Sequence, residues 1–359
     1  MKTCLRTARI VTWLWQALWV AILITPPCAI AESDTEIKRL NLDVRYAFEN
    51  DDFAKLEKMY AEYLTAKTRT QSGGWMLDLM HAQLERILRA DLDPGHWQAV
   101  EKKIAMWRKR YPRSTLAPLF LANVHLRHAW TYRGDEFIDK VDPAAFKYIR
   151  LYLDKSYDVL AKNPEQLQVD PFWYVLAFKV MKMSGTDEKT YDKAVQQGIK
   201  KFPDYHPLYL MAAWFLEPKW GGSWEKIDQL ALRSIELSKP ISGNSIYTRI
   251  YWNATANHYG HPVFFTSRIK WPLMKQGFED ILAKYPHDRN RNAYAYFSCI
   301  AVDYETLRKI LPLVGENIIY EQWGSKDGEK VYKDCVTYAK GGTNFPEFLN
   351  KIVQSLPTK

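Results

Sequence analysis

Apolar residues recur at helical spacing along most of the chain. Three stripes have a period of three to four residues, which is typical of amphipathic α-helices. They consist of Phe53, Leu56, Tyr60, Tyr63 and Leu64, of Phe146, Ile149, Leu153, Tyr157 and Leu160, and of Tyr191, Ala194, Val195, Gly198, Ile199 and Phe202. Strand-like alternation is scarce, and residues 318–320 are the best short candidate. The pattern predicts an all-α fold.

Prolines follow the basic or polar ends of five predicted helices. They are Pro112, Pro164, Pro203, Pro240 and Pro286. A cation in the last turn suits the helix dipole, and a proline cannot continue the helix. Successive prolines lie 37 to 52 residues apart, which leaves room for two helices in each interval. This spacing predicts stacked helical hairpins in one continuous domain, residues 32–359.

The proline spacing resembles that of tetratricopeptide repeats, whose helix pairs recur about every 34 residues. Counted back from Pro203, Gly198 stands where such a repeat has a small residue, whereas the equivalent positions hold Trp107 and Ile281. The resemblance implies a superhelix of degenerate tetratricopeptide-like hairpins with insertions. A distinct C-terminal part is expected from about residue 285, where the period weakens.

The N-terminus has the pattern of a secretory signal. Lys2, Arg6 and Arg9 precede an apolar run over residues 10–25, and Ala29-Ile30-Ala31 follows. A basic start, a short apolar core and a small-x-small end predict a signal peptide over residues 1–31, cleaved near Ala31. The mature chain would then reside in the periplasm or be secreted. An uncleaved membrane anchor is the alternative.

Composition narrows the choice of partners. The chain has 359 residues with 47% hydrophobic and 25% charged side chains, as in ordinary globular proteins. Its net charge of +9 is spread among acidic residues, so a solvated surface is expected rather than a nucleic-acid site. Aromatic residues make up 14%, which suits either dense packing or a binding surface.

Two cysteines, Cys299 and Cys335, lie outside the predicted signal. An oxidising compartment permits a disulfide between them, and two buried free thiols are the alternative. Because no Cys-x-x-Cys pair occurs, redox catalysis and a structural zinc site are not expected.

Several short motifs resemble those of a bacterial family that is defined only as a domain of unknown function. In chain order they occupy residues 52–57, 112–114, 129–134, 218–223 and, more weakly, 292–303. The resemblance implies an exported protein with a tetratricopeptide-like helical fold. It implies no established activity.

Residues 219–225, Lys-Trp-Gly-Gly-Ser-Trp-Glu, form the sharpest local motif. The two glycines permit positive φ angles, and Ser223 is a natural N-cap for a helix that begins at Trp224. One interpretation is a tight turn between helices. The other is an anion or sugar site, with backbone N–H groups beside indole faces.

A second motif closes a predicted helix at residues 129–136. Gly134 is the expected cap. Arg133 could pair with Asp135 or Glu136, or it could hold an anionic peptide terminus between aromatic rings. The residues expected to form a binding surface are Trp130, Arg133, Trp214, Trp220, Ser223 and Trp224.

No sequence pattern indicates a catalytic centre, metal or cofactor. His125 and His128, like His258 and His261, lack the His-Glu-x-x-His arrangement of zinc hydrolases. The expected function is therefore binding of a protein or peptide partner in the cell envelope. An envelope enzyme that cleaves glycan or peptide with paired carboxylates is the alternative, and a self-associating assembly unit is a third possibility.

Overall fold

The computed structural model of the chain describes residues 29–88, 94–134, 140–162, 164–256, 263–324 and 327–341. These residues form seventeen α-helices and no strand, which confirms the predicted all-α fold. The predicted signal peptide lies outside them except for its last three residues. None of the described helices is long and apolar enough to cross a membrane.

The helices follow one another with short connections. They span Ala29–Glu49 (α1), Phe53–Ala66 (α2), Met76–Ile87 (α3), Pro94–Arg110 (α4), Leu116–Arg133 (α5), Phe146–Ala161 (α6), Pro164–Leu167 (α7), Phe172–Met183 (α8), Glu188–Lys201 (α9), His206–Phe215 (α10), Trp224–Ser242 (α11), Ser245–Ala254 (α12), Val263–Thr266 (α13), Trp271–Lys284 (α14), Asp288–Ile300 (α15), Tyr304–Val314 (α16) and Gly328–Ala339 (α17).

Four of the five prolines expected to follow helix ends do so, after α4, α6, α9 and α14. Pro240 is the exception because it lies inside α11, which ends at Ser242. The helix continues for only two residues beyond this proline and stops at Gly243, which has a φ of +57°. The proline therefore marks the final turn of α11 rather than the residue after it.

The stripe predicted on α6 is only partly buried. Phe146 and Tyr157 are 43% and 61% exposed, whereas Ile149, Leu153 and Leu160 are buried. The buried side of α6 is turned toward Ser156, which is fully buried and donates a hydrogen bond to the Ala122 carbonyl of α5 at 2.9 Å. Phe146 and Tyr157 consequently lie at the edge of the buried face.

Two hydrophobic cores share helix α5. A smaller core contains residues of α1–α4 together with Leu116, Phe120 and Val124 of α5. A larger core extends from the opposite side of α5, which contributes Leu119 and Leu126, through to α17. This double burial accounts for the apolar character of α5 on all sides.

The connection between α2 and α3, here called segment 67–75, leaves the smaller core and enters the larger one. Its hydrogen bonds form a tight hairpin-like loop, with Thr70 N donating to the Gly74 carbonyl at 2.8 Å. Trp75, only 4% exposed, belongs to the larger core and packs edge-on against Tyr205 at 5.0 Å. The Arg69 guanidinium lies 3.4 Å from the centre of the Trp75 indole.

Segment 67–75 also reaches the C-terminal helices. Gly73, with a φ of +87°, lies so close to Tyr285 that a Cβ would fall 2.7 Å from its ring. The Ser72 carbonyl accepts hydrogen bonds from Arg249 and Asn290. Because α1 also contacts α15, the N-terminal helices pack directly against the C-terminal part of the fold.

Helices α15–α17 share the larger core with α6–α14. A distinct C-terminal part from about residue 285 stays a prediction. Cys299 of α15 and Cys335 of α17 are fully buried and form a disulfide, with their Cα atoms 5.8 Å apart. The described helices establish the all-α architecture. A superhelix of tetratricopeptide-like repeats stays a prediction.

Two polar pairs cross the boundary between the cores. His81 of α3 and Asp170 are 2% and 0% exposed, and their Nε2 and Oδ2 atoms lie 2.8 Å apart. Asp78, one turn earlier in α3, accepts a hydrogen bond from the Tyr205 hydroxyl at 3.2 Å. Burial raises the pKa of Asp78 from 3.8 to about 6.

The Asp78 carboxyl makes stability depend on pH. Its pKa is higher in the folded than in the unfolded chain, so the folded state loses stability as pH rises from about 4 to 7. Replacing Asp78 with Asn keeps an acceptor for Tyr205 and removes the titration. We expect D78N to gain about 2 kcal/mol of unfolding free energy relative to the parent between pH 4 and 7, measured by urea unfolding. A difference that does not vary with pH would contradict this assignment.

The disulfide closes a loop with a sequence separation of 36. Reduction should lower the free energy of unfolding by about 3–4 kcal/mol, because the unfolded chain regains loop entropy. Thermal unfolding with and without a phosphine reductant measures the change. Alkylation of both cysteines in unfolded, unreduced protein would show instead that the bond does not form.

Candidate functional site

Three of the tryptophans expected to form a binding surface meet on the structure. Trp130 of α5 lies 5.9 Å from both Trp214 of α10 and Trp220, and the last two rings are 5.2 Å apart. All three are partly exposed, and buried Phe215 packs beneath Trp214 and Trp220.

Arg133 belongs to the same group. Its guanidinium carbon lies 5.5 Å from the centre of the Trp220 ring, within range of a cation–π interaction. Its Nη1 donates to the Gly134 carbonyl at 3.3 Å, and Gly134 has the positive φ expected of the cap. Asp135 and Glu136, the expected ion-pair partners, lie outside the described residues. Trp130, Trp214, Trp220 and Arg133 are called the tryptophan cluster below.

The turn before α11 requires both glycines of the Trp-Gly-Gly-Ser motif. Gly221 has a φ of +76°, and a Cβ on Gly222 would fall 1.9 Å from the carbonyl oxygen of Leu216. Ser223 caps α11 by accepting a hydrogen bond from Lys226 N at 3.3 Å. The turn interpretation therefore accounts for these three residues, while Trp220 remains part of the tryptophan cluster.

Trp224 and Ser223 are the two predicted binding residues outside this cluster. Trp224 begins α11 and packs, partly exposed, against the larger core. The next residue, Glu225, forms an ion pair with Arg268. Ser223 and Trp224 thus set the start of α11, which positions Trp220 four residues before the helix.

The histidines of α5 pack inside the fold. Burial is the largest cause that lowers the pKa of both His125 and His128 to about 4, and the Lys155 ammonium adds to it. His128 stacks against Trp97 at 4.4 Å and Tyr152 at 3.7 Å. The described residues contain no group of three potential metal ligands. The pair His258 and His261 lies outside them.

A second site, which the sequence analysis missed, lies between segment 67–75 and the C-terminal helices. This arginine pocket has a volume of about 430 Å³. It is lined by Ile37, Thr70, Ser72, Gly74, Leu79, Arg249, Trp252, His287, Arg289, Asn290, Ile318, Ile319 and Glu321.

The arginine pocket is strongly basic at its inner wall. Burial, with the charges of Arg69 and Arg289 nearby, lowers the pKa of Arg249 to about 10. Arg249 also lines a smaller neighbouring pocket, where burial and the charges of Arg249 and Arg69 hold the pKa of His206 well below its usual value. His206 is therefore uncharged at neutral pH, and Arg249 stays charged.

Comparison with protein-family models, curated proteins and solved structures finds no match for this chain. The resemblance to a bacterial family of unknown function therefore stays a prediction.

The turn before α11 gives a direct test of its glycines. Gly222→Ala should destabilise the chain by about 3 kcal/mol, because its Cβ would overlap the Leu216 carbonyl. Gly221→Ala, where nothing lies within 4 Å, should cost only about 1 kcal/mol for its left-handed backbone. Urea unfolding of the two variants measures the difference. Equal losses would show that close approach to Leu216 is not what requires glycine.

Proposed function

We propose that the chain is an exported helical protein that binds a protein or peptide partner of the cell envelope through the tryptophan cluster. The observation that carries this proposal is the convergence of three partly exposed indoles and one guanidinium from separate parts of the chain. Tryptophan and arginine are the residues most enriched among the energetic hot spots of protein interfaces.

The geometry of the cluster suits recognition of a partner. Buried Phe215 supports the rings from below, so the indoles offer apolar area with little further loss of conformational freedom. Arg133 adds a positive charge beside this area, which favours a partner with an acidic group at this edge. The cluster thus combines an apolar centre with a polar edge, as interfaces do.

Export remains part of the proposal on sequence grounds. The basic start, apolar run and Ala-Ile-Ala end of residues 1–31 support it. A disulfide between Cys299 and Cys335 fits an oxidising compartment such as the periplasm.

The carboxylates of the described pockets do not favour the alternative of an envelope enzyme. Asp204 and Asp280 line one pocket together, but its volume is about 70 Å³, against about 300–1,000 Å³ for typical ligand sites. Asp204 pairs with Arg69 at 3.6 Å, and Asp280 accepts from the backbone of Asn244 at 2.7 Å. An acid–base pair needs room for substrate between its carboxyl groups, which this pocket lacks.

Trp220→Ala tests the proposed binding surface. In-cell crosslinking of the tagged chain, followed by affinity capture and mass spectrometry, should identify a discrete envelope partner. Loss of a hot-spot indole should weaken capture by about thirtyfold while leaving the helical circular dichroism unchanged.

Trp97→Ala serves as the matched control, since Trp97 is another partly exposed tryptophan, packed against the smaller core. Capture by this variant should equal that of the parent. If Trp220→Ala unfolds the chain, Arg133→Ala repeats the test without removing an indole. Unchanged capture by folded variants would overturn the proposal, and capture of only the chain itself would point to self-association.

A further inference from the structure

Arg249 occupies an unusual position for a charged side chain. It lies on α12 at the inner wall of the arginine pocket, where its Nη2 makes a hydrogen bond of 3.4 Å to the Ser72 carbonyl. Among the described residues, no carboxylate lies within ion-pair distance of it. A guanidinium has five N–H donors, so most of its hydrogen-bonding capacity remains for another group.

The acidic side chains nearest this region are engaged or lie at the surface. Asp204 is held by Arg69 and Lys67, at 3.6 and 3.8 Å. Glu321 lines the arginine pocket but is exposed, as Arg289 is. Arg249 is only partly exposed, and a bound anion would supply the counter-ion that the described residues do not.

Asn290 holds the carbonyl group that anchors Arg249. Its Nδ2 donates to the Ser72 carbonyl at 3.2 Å and to the Tyr285 carbonyl at 2.8 Å, which fixes the orientation of the amide. Arg249 donates to the same Ser72 oxygen, so its guanidinium is positioned by a fixed part of segment 67–75.

Part of the pocket wall is apolar. It is formed by Ile37, Leu79, Trp252, Ile318 and Ile319. A ligand that suits both features has a carboxylate for Arg249 and an apolar body for this part of the wall. Phosphate fits less well, since it has no apolar part.

We propose that the arginine pocket binds the carboxyl end of a peptide, with Arg249 on the terminal carboxylate and the last side chain against the apolar part of the wall. A volume of about 430 Å³ lies within the range of small-ligand sites. This site is separate from the tryptophan cluster, and either one can fail without the other.

Calorimetric titration of the purified chain with N-acetylalanyl-leucine tests the proposal. We expect the free acid to bind, and its C-terminal amide to bind at least thirtyfold more weakly because it offers no charge to Arg249. Arg249→Gln should weaken binding of the acid by a similar factor. Arg308→Gln is the matched control, because Arg308 lies outside the pocket and also donates to a backbone carbonyl, that of Ala339. It should bind the acid as the parent does.

Because Arg249 also holds Ser72, its loss could loosen segment 67–75. The Arg289→Glu variant tests the site without this risk to the fold, because Arg289 is exposed. It should weaken binding of the acid about tenfold, since it places a negative charge at the mouth of the arginine pocket. No binding of the acid at up to about 10 mM, or equal binding of acid and amide, would overturn the proposal. If inorganic phosphate competes with the acid and binds as tightly as the acid does, the pocket is a general anion site. That result would reject the peptide end as its ligand.

Discussion

Segment 67–75 is the constraint on which the rest of the structure depends. It starts and ends in helices of the smaller core, yet its Trp75 is buried in the larger one. The Trp75 Nε1 donates to the Asp204 carbonyl at 3.3 Å, and Arg69 covers the ring from one side. Burying one indole contributes about 3 kcal/mol or more, so this contact alone is a substantial part of ordinary domain stability. The arginine pocket exists because the segment supplies one of its walls.

Two polar pairs lie near this segment, at positions where apolar side chains could pack instead. Asp78 meets Tyr205, and His81 meets Asp170, at the boundary between the two cores. Such pairs are costly to desolvate and costly to break, so they favour one relative placement of the cores over others. The segment also brings two arginines together, since it contains Arg69 and its Ser72 carbonyl accepts from Arg249. Burial and the nearby charge of Arg69 therefore lower the pKa of Arg249.

Local features of the fold could be predicted from the sequence, and long-range ones could not. Helical periods, the Ser223 cap and most proline-marked helix ends depend on residues a few positions apart. The meeting of Trp130 with Trp220 was only a hypothesis, since 90 residues separate them. The arginine pocket had no sequence signal at all, because Ser72, Arg249 and Asn290 come together only after the chain closes. Exposure of Phe146 and Tyr157 was missed for a related reason. Apolar spacing on α6 does not reveal that buried Ser156 shifts the packed face.

Amide hydrogen exchange of segment 67–75 measures the closure of the fold most directly. In the folded chain Thr70 N and Gly73 N donate to the Gly74 and Thr70 carbonyls, and the segment lies against Tyr205, Tyr285 and Asn290. The account predicts that these amides exchange within a factor of about ten of the core helix α15, since they open only with the larger core. Exchange at the rate of an exposed loop, while α3 and α15 stay protected, would contradict it. Segment 67–75 would then not be what holds the two cores together.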